Sequence, residues 1–97
     1  MNIIKLNQLE LRVESYNKNT YFTGENITST GNCTVITDNM DALNALAEDE
    51  ITLIQIYHDS ELIYNLSDIS AHIDSINEYL TDDHISISIN ISFQLDI

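Results

Sequence analysis

The segment from Ile85 to Ile97 alternates strictly between apolar and polar side chains, and every odd position in it is apolar. Successive side chains of a β-strand point to opposite faces, so this period of two predicts a half-buried strand. At about 3.4 Å per residue such a strand would extend for about 44 Å, so we expect a bulge or a projecting end. A chain that contains this strand must supply neighbouring strands and a core for its apolar face.

Shorter strand patterns recur earlier in the chain. Leu9, Leu11 and Val13 alternate with polar and charged residues, which predicts a strand with one buried face. Residues 51–57 are apolar on both parities, which favours a central strand covered on both faces. The predicted strands are 9–15, 20–23, 27–30, 33–37, 51–57 and 61–65, with turns at 17–19, at Gly31 and Asn32, and at Asp59 and Ser60.

Two segments have helical spacing instead. Asp38 and Asn39 are suitable N-caps for a first helix, which continues to Ala47 and ends at three consecutive acids. In residues 68–80 the apolar side chains recur at steps of four, three and four, so on a helix they would form one stripe. The members of this stripe are Ile69, Ile73, Ile76 and Leu80.

These elements predict the order βββαββαβ and an α+β fold. Both helices are expected on one face of a mainly antiparallel sheet. A chain of 97 residues has room for one hydrophobic core, so residues 1–97 are expected to form a single domain.

The charge of the chain is its most unusual property. Sixteen Asp and Glu against three Lys and Arg give a formal net charge of −13. A domain of this length is about 32 Å across, and duplex DNA carries roughly 19 negative charges over that distance, so the protein reaches about two thirds of the charge density of DNA. Such a field repels nucleic acid and anionic lipid and attracts basic proteins. We therefore expect a basic protein partner and no direct binding of nucleic acid.

The chain lacks the patterns of membrane and exported proteins. No apolar stretch approaches the roughly 20 residues of a membrane-spanning helix, and the first residues do not resemble a signal peptide. We therefore expect no association with membranes and a cytoplasmic location.

Motifs for catalysis and for metal or cofactor binding are absent from the sequence. His58, His72 and His84 lack the paired spacing of a metal site, and Cys33 has no basic neighbour that would activate its thiol. Glycine-rich phosphate loops and nucleophile motifs do not occur. We expect no enzymatic activity, no metal and no cofactor, and we expect Cys33 to be a small buried hydrophobic residue.

The acidic residues are therefore the candidate site. Carboxylates four residues apart on a helix are about 6 Å from each other, a spacing similar to that of successive phosphates. They could then occupy a cationic nucleic-acid channel through contacts with Arg and Lys. The candidate partner-binding residues are Asp38, Asp41, Glu48, Asp49 and Glu50 around the first helix, Asp59 and Glu61 at a hairpin turn, and Asp68, Asp74, Glu78, Asp82 and Asp83 along the second helix.

In size, acidity and small α+β layout, the chain resembles phage and mobile-element inhibitors of host nucleases, such as anti-CRISPR and antirestriction proteins that mimic DNA. The resemblance implies an inhibitor that blocks the nucleic-acid site of a host defence nuclease. An immunity protein against a toxin nuclease would obey the same physics. A further alternative is an assembly protein that pairs, with its own copy or with another protein, through the long C-terminal strand. The last alternative is that the acidic residues simply keep a soluble domain monomeric.

Overall fold

In the computed structural model, which describes residues 1–94, the chain forms a closed antiparallel barrel. The strands are β1 (Asn2–Leu6), β2 (Leu9–Thr23), β3 (Asn26–Ile36), β4 (Ile51–His58), β5 (Glu61–Leu80) and β6 (Ile85–Gln94), and the helix α1 (Met40–Leu46) connects β3 to β4. Around the barrel the order is β1-β2-β3-β6-β5-β4. The expected α+β fold with two helices is wrong, because 73% of the described residues are in strands and α1 is their one helix.

The barrel consists of two three-stranded meanders that meet along two seams. The first meander is β1-β2-β3 and the second is β4-β5-β6. Along one seam β1 pairs with β4, and Ile4 lies opposite Ile56. Along the other seam β3 pairs with β6, and Asn32 lies opposite Asn90. Each seam joins equivalent strands in antiparallel orientation, as in two units related by an approximate two-fold axis.

The core is one continuous cluster inside the barrel. The interior positions alternate along the strands except at β-bulges, and α1 adds Leu43 and Leu46 to the same cluster. The largest fully buried side chains are Ile4, Leu6, Leu43, Ile51, Ile54, Ile87, Ile89 and Ile91. Within the barrel, each strand therefore buries one face and turns the other toward solvent. The expectation that residues 51–57 are covered on both faces is thus wrong.

The segment expected as the second helix belongs to β5, and β-bulges explain its helical spacing. Ile73 pairs with Ile91 and Ile76 pairs with Ile89, so the register shifts by one residue around Asp74. Directly paired residues share a face of the sheet, so both isoleucines face inward although they are three positions apart. On either side of the bulge, two strand periods of two residues give the steps of four, from Ile69 to Ile73 and from Ile76 to Leu80.

The other two members of the stripe follow the same rule. Ile69 packs against the core, two positions before buried Ala71. Leu80 pairs with Ile85 beyond the end of the barrel, where it is 85% exposed. A strand with a bulge thus reproduced the steps of four, three and four that are typical of an amphipathic helix.

Two predicted turns are also wrong, because they lie inside the long β2–β3 hairpin. Asn17 pairs with Asn32 and Lys18 pairs with Gly31, and the true turn is at Gly24 and Glu25. A Cβ atom at Gly31 would lie 3.0 Å from the Phe93 ring, so this glycine leaves room for core packing. The strand β1 was not predicted, since five residues are too few to show a clear period.

Several predictions are confirmed. The C-terminal strand is present as β6, and residues 95–97 of the expected strand lie outside the described residues. The first helix begins after Asn39, whose side chain accepts a hydrogen bond from the backbone N–H of Ala42 at 3.2 Å. The β4–β5 turn has positive φ angles at Asp59 and Ser60, as a tight two-residue hairpin turn requires.

Candidate functional site

Every Asp and Glu among residues 1–94 has an exposed side chain. The twelve predicted partner-binding acids lie in four places: Asp38, Asp41, Glu48, Asp49 and Glu50 in and beside α1; Asp59 and Glu61 at the β4–β5 turn; Asp68, Asp74 and Glu78 on β5; and Asp82 and Asp83 in the β5–β6 loop. The first five are called the α1 acids below. The ion pairs among the described residues are formed by the amino group of Met1 and by three histidines, and the three Lys and Arg residues take part in none of them.

The α1 acids are held by a short segment that is fixed at both ends. Leu43 is fully buried and Leu46 is 7% exposed, so the helix is anchored in the barrel by one face. After the helix, the side chain of Asn7 donates to the backbone carbonyl of Glu50 at 2.9 Å and accepts from the backbone N–H of Thr52 at 2.9 Å. The carboxylates are therefore carried by a segment that is anchored by the buried leucines and by Asn7.

A second group of acids surrounds His84. The ring Nδ1 of His84 lies 2.7 Å from Oδ1 of Asp83, and Nε2 lies 3.7 Å from Oε1 of Glu14. The Ser86 hydroxyl donates to the same Glu14 oxygen at 3.1 Å. The hydrogen bond from His84 and the charge of its ring hold the pKa of Asp83 below its usual value. We call Glu14, Asp83 and His84 the His84 cluster.

The His84 cluster adjoins Asp38, the first of the α1 acids. Asp38 and His84 line the same shallow surface hollow, together with Ile36, Thr37 and Ile85. The structure therefore brings Asp83 of the β5–β6 loop and Glu14 of β2 close to the start of α1. Sequence reasoning missed Glu14, because it was recognised only as one polar residue on the outer face of a strand.

Asp68 lies near the other end of the α1 segment. Asp68 and Glu50 line a surface cavity of about 570 Å³, and Lys18 lines it as well. Asp68 has a φ of 56°, in the left-handed region, where β5 departs from regular pairing with β4. Here the acidic surface therefore includes a cation.

The structure separates Asp74 from Glu78, which were expected side by side on a helix. Asp74 lies at the bulge, where it accepts a hydrogen bond from Ser92 and lies 3.2 Å from Nε2 of His72. Glu78 pairs with the core residue Ile87 and so points to the opposite face of β5. Four residues of strand span about 13 Å, so the expected spacing of about 6 Å is also wrong.

The acids of the β4–β5 turn are remote from α1. Asp59 and Glu61 lie at the far end of β4, about 25 Å of strand away from Glu50. The hydrogen bond from the Met1 amino group, at 2.7 Å, and the nearby charges of that group and of His58 lower the pKa of Asp59. These two acids form a separate patch.

Serine and histidine occur together in two places, but the geometry is not that of a nucleophile and its base. In each place a carboxylate lies between them: Asp74 between Ser92 and His72, and Glu14 between Ser86 and His84. A nucleophilic serine instead needs its hydroxyl beside the imidazole.

The cysteine has the buried position that the sequence predicted. Cys33 is fully buried, and burial raises the pKa of its thiol to about 12. A thiol in this state is protonated at neutral pH, so Cys33 acts as a core residue.

Within residues 1–94 no group of three or more His, Cys, Asp or Glu side chains is arranged to hold a metal ion. The helix of this part of the chain is too short to cross a bilayer. Comparisons with protein-family models, curated proteins and solved structures found no match.

Proposed function

We propose that the protein inhibits a basic nucleic-acid-handling protein, a host defence nuclease, by occupying its cationic nucleic-acid site. The observation that carries the proposal is that the His84 cluster meets Asp38, the first of the α1 acids, in one hollow at the end of the barrel where β3 ends and β6 begins. The formal net charge of −13 gives this end a strong negative field.

The geometry favours recognition by Arg and Lys side chains. The carboxylates are exposed, so a partner can reach them, and each can accept charge-assisted hydrogen bonds from a guanidinium or ammonium group. Buried Leu43 and the Asn7 contacts hold the segment in place, so little conformational entropy is lost on binding. Release of the counterions condensed on either surface makes the binding sensitive to salt.

The remaining acids have a different part in this proposal. Asp59 and Glu61 lie too far from α1 to share one contact with it, and Asp74 is engaged by Ser92 and His72. They add to the long-range attraction that raises the association rate, whereas the α1 acids and the His84 cluster make the contact.

The test is inhibition of DNA cleavage by purified basic nucleases, with restriction, RNA-guided and toxin nucleases as the panel. We expect inhibition of at least one of them, with a half-inhibitory concentration that rises with DNA concentration because the two compete. The half-inhibitory concentration should rise at least about tenfold when the five α1 acids are replaced by their amides. These replacements are Asp38→Asn, Asp41→Asn, Glu48→Gln, Asp49→Asn and Glu50→Gln.

The matched control removes the same number of charges elsewhere. It carries Glu10→Gln, Glu25→Gln, Asp59→Asn, Glu61→Gln and Asp74→Asn. Its half-inhibitory concentration should rise less than about threefold at moderate salt, where long-range attraction is screened. Equal loss in both variants would show that total charge, and not the α1 end, is recognised. Absence of inhibition across the panel at low salt would contradict the proposal.

A further inference from the structure

The β2–β3 hairpin differs in charge from the rest of the molecule. Residues 15–37 contain one basic residue, Lys18, and one acidic residue, Glu25, so their net charge is zero. The other residues of the chain therefore hold the whole formal charge of −13. Repulsion between two copies of this protein is therefore weakest when they approach through this hairpin.

One edge of the hairpin has no partner among residues 1–94. β1 pairs with β2 only from Leu9 to Arg12, and β3 covers the opposite edge of β2. Residues 17–28 are exposed throughout, so the edge from Asn17 to Thr23 is open to solvent. It contains no proline and no bulge, and Lys18 is its one charged residue, so it has few of the features that usually prevent edge-to-edge pairing.

The backbone groups of this edge are directed away from the barrel. Thr23 pairs with Asn26 across the two-residue turn, so those two residues exchange backbone hydrogen bonds. Such pairs alternate along an antiparallel ladder. Lys18, Thr20 and Phe22 therefore point their backbone N–H and C=O groups toward the free edge.

The β5 strand also has unpaired edges, but they are guarded. Its residues after Ala71 have no β4 neighbour, and this stretch contains the bulge at Asp74 and the charge of Glu78. Acids and a bulge disfavour strand addition there. The C-terminal strand β6 has no free edge from Ile87 to Phe93, because β3 and β5 pair with both of its sides.

We infer that the protein forms a dimer in which the free edges of two β2 strands pair in antiparallel orientation. Pairing of the whole open edge, residues 17–23, is centred on Thr20, and it supplies about six backbone hydrogen bonds. This register places the backbone groups of Lys18, Thr20 and Phe22 opposite those of Phe22, Thr20 and Lys18 of the other copy. The two copies are related by a two-fold axis, and the pairing uses the free β2 edge of both, so no third copy can add there.

The side chains of this register are complementary. Lys18, Thr20 and Phe22 pair with Gly31, Ser29 and Ile27, which defines one common face of the hairpin. Phe22 is 75% exposed, and no cation among residues 1–94 lies over its ring, whereas Lys18 lies 5.0 Å from the Phe93 ring centroid. Pairing about Thr20 sets the Lys18 of each copy beside the Phe22 ring of the other, a favourable cation–π contact.

The mass in solution tests the inference with two variants at one position. Thr20→Pro removes the central edge N–H but no hydrogen bond to β3, and Thr20→Ala keeps the N–H while losing the same hydroxyl contact with Ser29, at 3.0 Å. We expect wild type and T20A to have twice the monomer mass of 11.0 kDa at micromolar to millimolar concentration, and T20P to remain monomeric. A monomeric wild type over this range, or a folded T20P that dimerises as wild type does, overturns the inference.

A cysteine pair tests the register without relying on proline. In Thr20→Cys the two new cysteines face each other at about 5.5 Å between Cα atoms, close enough for a disulfide. In Thr23→Cys they are separated by about 20 Å of strand. Under mild oxidation we expect T20C to cross-link at least tenfold faster, with buried Cys33 unreactive in both. Equal rates contradict the register.

Salt separates this inference from the proposed function, on which it does not depend. Salt screens the repulsion between two anionic copies, so the dimer should become tighter as ionic strength rises. Binding of a cationic partner by the α1 acids should become weaker over the same range. A dimer that dissociates as salt increases would contradict the edge pairing whatever the outcome of the nuclease assay.

Discussion

The side chains of Asn32 and Asn90 meet at the centre of the seam between the two meanders. The amide Nδ2 of Asn32 donates to Oδ1 of Asn90 at 2.8 Å and to the Ser88 hydroxyl at 3.0 Å, and Nδ2 of Asn90 donates to the Ser75 hydroxyl at 2.8 Å. A polar network thus crosses β3, β6 and β5 on the outer face of the barrel.

Replacement of Asn32 tests how much this network stabilises the seam. Asn32→Ala removes two hydrogen bonds from a half-buried position, so it should lower the free energy of unfolding by about 1 to 2 kcal/mol. Asn17→Ala is the control, because Asn17 pairs with Asn32 across β2 and β3 but is exposed. It should change stability by less than about 0.5 kcal/mol. Urea unfolding followed by circular dichroism measures both.

Truncation of Leu43 tests the anchor of α1. Leu43 is fully buried, so Leu43→Ala should lower stability by about 2 to 5 kcal/mol. Asn44→Ala, on the exposed side of the same helix, should change it by less than about 0.5 kcal/mol. Because Leu43 holds the segment that carries the α1 acids, hydrogen exchange should accelerate there first. Uniform acceleration across the barrel would mean that α1 is not a separately anchored element.

A methyl group at Gly31 tests the packing of Phe93. The added Cβ would lie 3.0 Å from Cε2 of Phe93, so Gly31→Ala should lower stability by about 1 to 3 kcal/mol. Phe93→Leu shortens the side chain that meets the methyl group. In that background Gly31→Ala should have little additional effect, which a double-mutant cycle measures. If the two substitutions lower stability additively, the added methyl group does not clash with Phe93.

The pairing of Asp83 with His84 predicts a pH effect. The carboxyl of Asp83 should titrate below its ordinary pKa of 3.8, because His84 stabilises its charged form. A lowered pKa in the folded state stabilises the protein above the ordinary value, and this contribution is lost as the pH falls through the lowered pKa. The pKa of Asp83 can be measured from its carboxyl carbon shift in an NMR titration. In His84→Gln the midpoint should return toward 3.8, and an unchanged midpoint would exclude His84 as the cause.

The strands with uninterrupted alternation were predictable from sequence. β6 shows a period of two along its whole length, and Asn39 marked the start of α1 by its capping chemistry. β5 could not be predicted in the same way, because a bulge inserts one residue into its period and produces helical spacing. The local sequence pattern does not distinguish a bulged strand from an amphipathic helix, because the position of the extra residue is set by pairing with β6.

The candidate site was predictable in composition but not in arrangement. The α1 acids are neighbours in sequence, so their proximity followed from one short helix. The contact of Glu14 with His84 joins residues 70 positions apart and depends on barrel closure. Asp74 and Glu78 show the opposite case, in which sequence neighbours lie on different faces because a strand replaces the expected helix.

The two seams of the barrel determine when this protein can fold during its synthesis. Asn32 and Asn90 are 58 positions apart, so one side of β3 stays unpaired until β6 has also left the ribosome. Contacts between such distant positions make folding slow, on the order of milliseconds to seconds. The first meander therefore spends its early lifetime as an open sheet, and in that interval the nascent chain is most vulnerable to aggregation and proteolysis.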